Sequence, residues 1–398
     1  MSDEKISIRL KDWFALGAID SAAHSSNTLA PFVVGAIIGE LHFAPSRMGV
    51  WSTVETLCYA FAMFVLAPRV ARLSLPHVAA GAALLTAAAQ IFSGFTDSYM
   101  VLLLLRVGTG LGFGILNTAL NTYAARTRTP DRAVSVAMAI QTALFTGMGF
   151  LMPIAGVVAG RKGMFVTLGL LVLALLPFML LAPRSTGLSN NEAKGTEKNN
   201  LPWPPRYQVV LLLGTMALFT FGTLSVWPFT DRLGLSVGIT SKGYGELNSV
   251  SCFLGFFGSI SVEWLRTKFG RTVPTVFFIL VSGMACVAQS APPNAQWFVV
   301  GFVVNYVLWF IVYPFLIGTA CAVDPAGRLA SLCTATWLVS QSLGNVIAGV
   351  MGDSGRYWMA GIMALICCVI ASALFVMVTR SLERPQCAEA LALEHFHK

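Results

Sequence analysis

Residues 183–206 read PRSTGLSNNEAKGTEKNNLPWPPR, the only long polar interval in a chain of 398 residues. A stretch so rich in Asn, Lys, Glu and Pro cannot bury enough surface to fold alone, so it reads as a linker. The rest of the chain is apolar: 56% of all residues are hydrophobic and 11% charged, with a mean hydropathy of +0.72. A core of soluble size cannot hide that much apolar side chain, so the remainder must face lipid. Soluble, disordered, collagen-like and disulfide-scaffold folds are excluded on the same figures.

Crossing about 30 Å of hydrocarbon takes roughly 20 helical residues. Six windows of that kind precede the linker, at 13–38, 47–66, 76–95, 98–121, 133–159 and 163–182. Six follow it, at 207–229, 243–263, 273–291, 296–320, 328–352 and 357–379. The expectation is an all-α integral membrane protein of twelve transmembrane helices: one six-helix bundle over 1–182, a cytoplasmic linker over 183–206, a second bundle over 207–380 and a cytoplasmic tail over 381–398. With the N-terminus inside, 19 of the 26 Lys and Arg fall in inner segments. Arg47, Arg161, Lys162, Arg232, Lys242 and Arg356 fall in outer ones, and Arg106 lies within a span. That asymmetry places both termini in the cytoplasm of a multi-pass cell-membrane protein. The run after Met1–Lys11 is broken by Asp20 and His24 and lacks a small-residue cleavage site, so it reads as a retained first span. The net charge of +8 then reports topology and not nucleic acid. The absence of any Asn-x-Ser/Thr acceptor fits a bacterial inner membrane, and a monomer is expected.

Two halves of similar size point to an internal repeat, and basic breaks recur at corresponding places: Arg72-Leu73-Ser74 lies 196 residues before Lys268-Phe269-Gly270. The break after span eight, GSISVEWLRTKFGR (258–271), resembles the cytoplasmic loop motif of the major facilitator superfamily of secondary transporters, with Gly258, Glu263, Lys268, Gly270 and Arg271 at the expected offsets. An acid near a helix end can pair with basic loop residues, so the resemblance implies a conformational latch of Glu263, Lys268 and Arg271. The first-half counterpart, APRVAR (67–72), lacks the acid. Span four carries RVGTGLGFG (106–114), similar to the family's Arg-x-x-x-Gly motif, in which Gly110 and Gly114 allow close helix approach. Span five carries GFLMPIAG (149–156), which partly resembles the family's antiporter motif, with Met152 and Val157 standing where glycines are expected. The resemblance covers nearly the whole chain and implies two six-helix bundles around a central cavity, working by alternating access. The span-five motif tilts the reading towards export by antiport, the alternative being proton symport of a nutrient or organic anion.

Ionisable groups deep in hydrocarbon cost about 2.5 kcal/mol or more on insertion scales, so Asp20, His24, Glu55 and Arg106 are candidates for function before structure. At about 1.5 Å rise per residue, Asp20 lies roughly 10 Å above the inner boundary with His24 one turn farther out. Glu55 and Arg106 lie roughly 12 Å below the outer boundary, in one layer with His24. Arg106 needs a partner there; Glu55 is nearest in depth and Asp20 next. A carboxylate near the arginine stays ionised, and one left alone in the apolar interior takes a proton, so this pair can couple to protons. Imidazole titrates nearest physiological pH, which makes His24 a relay or sensor.

The second half offers aromatic and amide side chains. Span ten has Asn305, Tyr306, Trp309 and Tyr313, with the last three spaced to share one stripe, and span eleven has Trp337, Gln341 and Asn345 on another. Such side chains suit a small organic substrate with a flat or apolar body and a few polar groups, and Asn27 and Gln141 join them from the first half. Eight cysteines, none in metal-ligand spacing, read as small core residues, and no nucleotide-binding loop is present, so no cofactor is expected. A membrane enzyme would need nucleophile, base or metal ligands clustered at one face, and a sensor a domain outside the bilayer; the sequence offers neither.

Overall fold

A computed structural model describes residues 9–66, 73–125, 130–182, 203–324 and 328–396. Among them every regular element is helical. In a lipid-embedded chain this is what backbone chemistry demands, because each N–H and C=O must be satisfied within its own segment. The linker reading at 183–202, the first-half loop 67–72 with Arg69 and Arg72, and Arg126 and Arg128 lie outside the described residues.

The first half runs α1 (Leu10–Leu41), α2 (Pro45–Phe61) with a wide final turn at Ala62–Leu66, α3 (Leu75–Ser93) and α4 (Tyr99–Ala125), then one helical stretch, Pro130–Met179. That stretch is broken where Ala159 and Gly160 leave helical geometry, giving α5 (130–158) and α6 (161–179). Gly160 adopts φ +57° and ψ −147°, a region essentially reserved for glycine. The second half runs α7 (Arg206–Leu224), extended by a turn at Trp227–Phe229 and a short helix Thr230–Ser236, then α8 (Ser241–Phe269), α9 (Thr272–Ser290), α10 (Ala295–Val323), α11 (Arg328–Asp353) and α12 (Tyr357–Phe396). Each of the twelve expected spans meets a helix.

Local chemistry starts these helices where the chain needs them. Pro45 and Pro76 occupy first-turn positions that lack an intrahelical partner for N–H in any case. Asn294 caps α10 through Trp297 N at 3.1 Å, and Asp324 Oδ2 accepts from Leu329 N at 3.1 Å at the start of α11. Among the described residues eight helical stretches are long and apolar enough to cross a membrane, one of them Ala133–Met179, which carries both α5 and α6. The three helices below that mark, α1, α8 and α11, carry Asp20, Ser25 and Ser26, Asn248 and Ser249, and Gln341 and Asn345, all buried against other helices. Their polarity is turned inward, which is why hydropathy alone undervalues them.

The chain divides into two compact units. One holds the first six helices together with Val226–Phe253 and Asn345–Arg356. Within it α1 packs along the α5–α6 stretch, α2 lies on α4, and α3 lies on α4 and α6. A Cβ at Gly110 would meet Cys58 Cβ at 2.8 Å and the Glu55 carbonyl, so the glycine of span four lets α2 sit directly on α4. The other unit holds α7, Leu254–Gly344 and the chain from Tyr357 on. Its core is Leu212, Met216 and Phe219 of α7, Ile279 of α9, Val312 and Leu316 of α10, Cys333 of α11 and Phe375 of α12.

Candidate functional site

Arg106, on α4, is wholly buried. Its Nη1 donates to Glu55 Oε1 of α2 at 3.1 Å and reaches Ser26 Oγ of α1 at 3.4 Å, while Nη2 donates to Gln90 Oε1 at 2.8 Å and Ser93 Oγ at 3.0 Å on α3. The guanidinium carbon lies 4.4 Å from the Trp51 ring centre and 5.6 Å from that of Phe165. Ser26 Oγ donates in turn to Glu55 Oε2 at 2.9 Å. One cation therefore ties α1, α2, α3 and α4 together. A charged arginine at mid-helix costs about 2.5–3.5 kcal/mol on insertion scales. Charge-assisted hydrogen bonds worth about 1.5–3 kcal/mol each, and a desolvated cation–π contact of about 2 kcal/mol, offset that cost.

A second chain of polar groups runs one turn away on α2. His24 Nδ1 is 3.1 Å from Asp20 Oδ1 and 3.1 Å from the Asp20 carbonyl, one turn earlier on α1. His24 Nε2 is 3.4 Å from Tyr59 Oη, which accepts from Asn117 Nδ2 at 2.6 Å. Asp20 thus lies with His24 and apart from Arg106. It is 2% exposed, and its Oδ2 is buried with no hydrogen-bond partner among the described residues. Between the two networks is a cavity of about one water's size, lined by Asn27, Ser52, Glu55, Tyr59, Pro228 and Asn345 among others. Asn27 contributes its carbonyl to Trp227 Nε1 at 2.8 Å. Asn345 Oδ1 is buried there without a partner, and Gln141 is half-buried on α5.

In the second unit Trp309 stacks on Phe219 of α7 with ring centres 5.9 Å apart, on Tyr313 at 5.2 Å, and leans on Trp337 of α11 at 5.3 Å. Trp337 Nε1 donates to Gln341 Oε1 at 3.1 Å, and Tyr313 Oη sits 3.4 Å from Thr334 Oγ1. Phe219 and Gln341 are buried, whereas Trp309, Tyr313 and Trp337 each keep part of a ring exposed. Tyr306 departs from the expected shared stripe. It joins a separate ladder, Phe302–Tyr306–Phe310, with ring centres 6.0 and 5.6 Å apart. Rings one helical turn apart stack on each other, so residues three apart, such as Tyr306 and Trp309, end in neighbouring columns.

Of the expected latch only the basic residues Lys268 and Arg271 have described side chains. Lys268 is exposed and its Nζ lies over the rings of Trp264 at 5.0 Å and Phe269 at 5.4 Å. Arg271 is half-buried at the start of α9. Among the described residues neither joins an ion pair, and the side chain of Glu263 lies outside them. The span-five motif lies where α5 meets α8: Ser249 Oγ of α8 donates to the Thr146 carbonyl of α5 at 2.9 Å, and a Cβ at Gly149 would meet the Gly245 carbonyl at 3.0 Å.

The residues that complete the Arg106 site, namely Ser26, Trp51, Gln90 and Ser93, were not singled out by sequence. A lone Gln90 inside the apolar run AAAQIFS was the available signal. Nor was Asp231, which is 5% exposed although the sequence places it in a polar break after span seven. Among the described residues no group of three or more His, Cys, Asp or Glu is arranged to hold a metal.

Residues 18–332 match the profile of the Major Facilitator Superfamily. No curated protein sequence matches the chain. Among solved structures the fold is similar to the nucleoside transporter NupG, with a TM-score of 0.72 and 12% identity over 94% of this chain and 99% of that one. It is also similar to a bacterial homolog of the human lysosomal transporter Spinster in an inward-facing, unoccupied conformation, with a TM-score of 0.68 and 17% identity over 95% and 99%. A D-xylose–proton symporter matches with a TM-score of 0.66 and 12% identity over 91% and 95%.

Proposed function

The chain belongs to the Major Facilitator Superfamily, and on that premise we propose that it is a proton-coupled secondary transporter, exporting a small organic molecule by antiport through alternating access. The observation that carries this reading is the Arg106–Glu55 pair, buried where an ion pair has no ordinary reason to be. In the closed pair Arg106 lies 3.1 Å from Glu55 and offers it a fixed cation. When helix movement draws them apart, a lone carboxylate in a dry layer is stable only as the neutral acid, so it binds a proton. Asp20, with one oxygen unpartnered, and His24, bridging it towards Tyr59, form a route by which that proton reaches or leaves the pair. Coupling thus resides on α1, α2 and α4.

The substrate side falls to Trp309, Tyr313, Trp337 and Gln341, whose partly exposed rings and buried amide suit a molecule with a flat ring and a few polar groups. Stacking on such rings contributes about 0.5–1.5 kcal/mol per pair beyond area burial. Trp309→Ala is therefore expected to weaken substrate binding about tenfold or more, measured by thermal-shift titration, with proton coupling retained. An unchanged affinity would remove the aromatic cluster from the substrate path.

Reconstituted vesicles with an imposed pH gradient test the mode. Antiport accumulates substrate when the lumen is acidic, because protons leave as substrate enters. Accumulation driven by an acidic exterior would instead establish symport, and Glu55→Gln should abolish the pH drive in either case while leaving substrate exchange.

A further inference from the structure

Asp231 lies on the short helix that extends α7, and that helix is packed on α1 within the first unit. Its carboxylate rests on Gly35 so closely that a Cβ there would overlap it. The contact is reinforced on both sides: Trp227 Nε1 donates to the Asn27 carbonyl at 2.8 Å, and Phe32 of α1 meets the ring of Tyr244 of α8 edge-on, with centres 5.2 Å apart. Asp231 is 5% exposed, yet among the described residues it has no hydrogen bond and no ion pair. Of the charged and titratable groups around it, only Arg232 acts on the carboxylate, through space and without forming an ion pair. Arg232, next in the chain, turns its guanidinium towards Gly39 of α1. Tyr244 Oη shares a hydrogen bond with Thr230 Oγ1 at 2.7 Å. Glu40 of α1 accepts from the backbone N–H of Arg161 at 2.6 Å. His42, which ends α1 two turns beyond Gly35, is exposed.

We propose that Asp231 is a second proton-binding site, which enters its contact with α1 as the neutral acid, so that closing this contact takes up one proton. An ionised carboxylate pressed on a helix backbone without a donor forfeits its hydration, a loss larger than the through-space attraction of Arg232 returns. The neutral acid forfeits far less, and Gly35 leaves room for it. In the open arrangement, which rests on the transport reading above, Asp231 regains water and releases the proton at the ordinary aspartate value of about 4. The sign follows from linkage. The group binds its proton more tightly in the closed form, so closure is fully favoured below the open-state value and weakens as pH rises above it, by at most about tenfold per pH unit for one proton. This site is separate from the Glu55–Arg106 pair.

Hydrogen exchange of the full-length protein in nanodiscs, followed for peptides covering 226–237 between pH 5 and 8 and corrected for intrinsic rates, reads the contact directly. Protection in wild type and in Glu55→Gln should fall by up to about tenfold per pH unit at the acidic end of this range and level off above it. In Asp231→Asn and Asp231→Ser it should be independent of pH. A flat wild-type profile, or a slope that survives in both Asp231 variants, overturns the proposal. A slope that follows Asp231, with no substrate counterflow by the same protein reconstituted in sealed vesicles, upholds the proton site and defeats the transport reading.

Discussion

Glu55→Leu should destabilise the protein by about 3–5 kcal/mol and abolish proton-driven transport, while the double variant Glu55→Leu, Arg106→Met should recover most of the lost stability and none of the transport. The asymmetry between the partners supplies the test. Without Arg106, Glu55 can neutralise itself by taking a proton. Without Glu55, Arg106 cannot, because guanidinium stays charged throughout the working pH range. The cation would then be left with Gln90 and Ser93 as neutral acceptors and the rings of Trp51 and Phe165 beneath it. Arg106→Met alone should accordingly cost less than Glu55→Leu, and its cost should shrink as pH falls and the lone carboxyl protonates. Thermal or denaturant unfolding of the four proteins at two pH values gives the coupling energy between the positions. A coupling below about 1 kcal/mol, or equal losses for the two single variants, would show that the pair does not depend on its charges, and the proton mechanism would lose its centre.

That pairing was open to sequence reasoning because depth is one-dimensional: rise per residue places Arg106 and Glu55 in one layer whatever the rotation of their helices. The twelve spans were legible for the same reason, since length, apolar run and the placement of Lys and Arg are all read along the chain. What escaped is whatever depends on rotation about a helix axis. Gln90 and Ser93 reach Arg106 because α3 turns that face to α4, and hydropathy does not fix this. Tyr306 parted from Trp309 because a spacing of three residues can resolve into two columns of stacked rings. Asp231 looked like a loop charge, because the chain continues past span seven as a short helix folded on α1 and the polar break Thr230-Asp231-Arg232 hides that continuation. Arg161 was assigned to an outer loop on charge counting, whereas only 4% of its side chain is exposed.

Arg161→Met should cost about 3 kcal/mol, far more than removal of either acid that accompanies the arginine. Its Nη1 donates to the carbonyls of Ser93, Gly94 and Thr96 at 3.4, 3.2 and 2.9 Å, where α3 ends and its carbonyls have no intrahelical partner. A cation there meets the negative end of the helix as well as three acceptors, worth about 0.3–1 kcal/mol for the dipole and about 1.5–3 kcal/mol for a charged hydrogen bond that replaces water. The acids differ in standing. Asp97 also pairs with Arg161, but 77% of its side chain is exposed, so Asp97→Ala is expected to cost less than about 1 kcal/mol. Glu40 accepts from the Arg161 backbone and lies 3.5 Å from Nε, an arrangement that Gly160, at φ +57°, makes possible by leaving no Cβ to strike it. Arg161 thereby fixes the end of α1 against α3 and the α5–α6 break, and α1 carries Asp20, His24 and Ser26. The loss in Arg161→Met should therefore appear both as a lower unfolding midpoint and as a weakened pH drive. A variant as mild as Asp97→Ala in both measurements would mean that the carbonyls of α3 are served by water and that α1 is held by its packing alone.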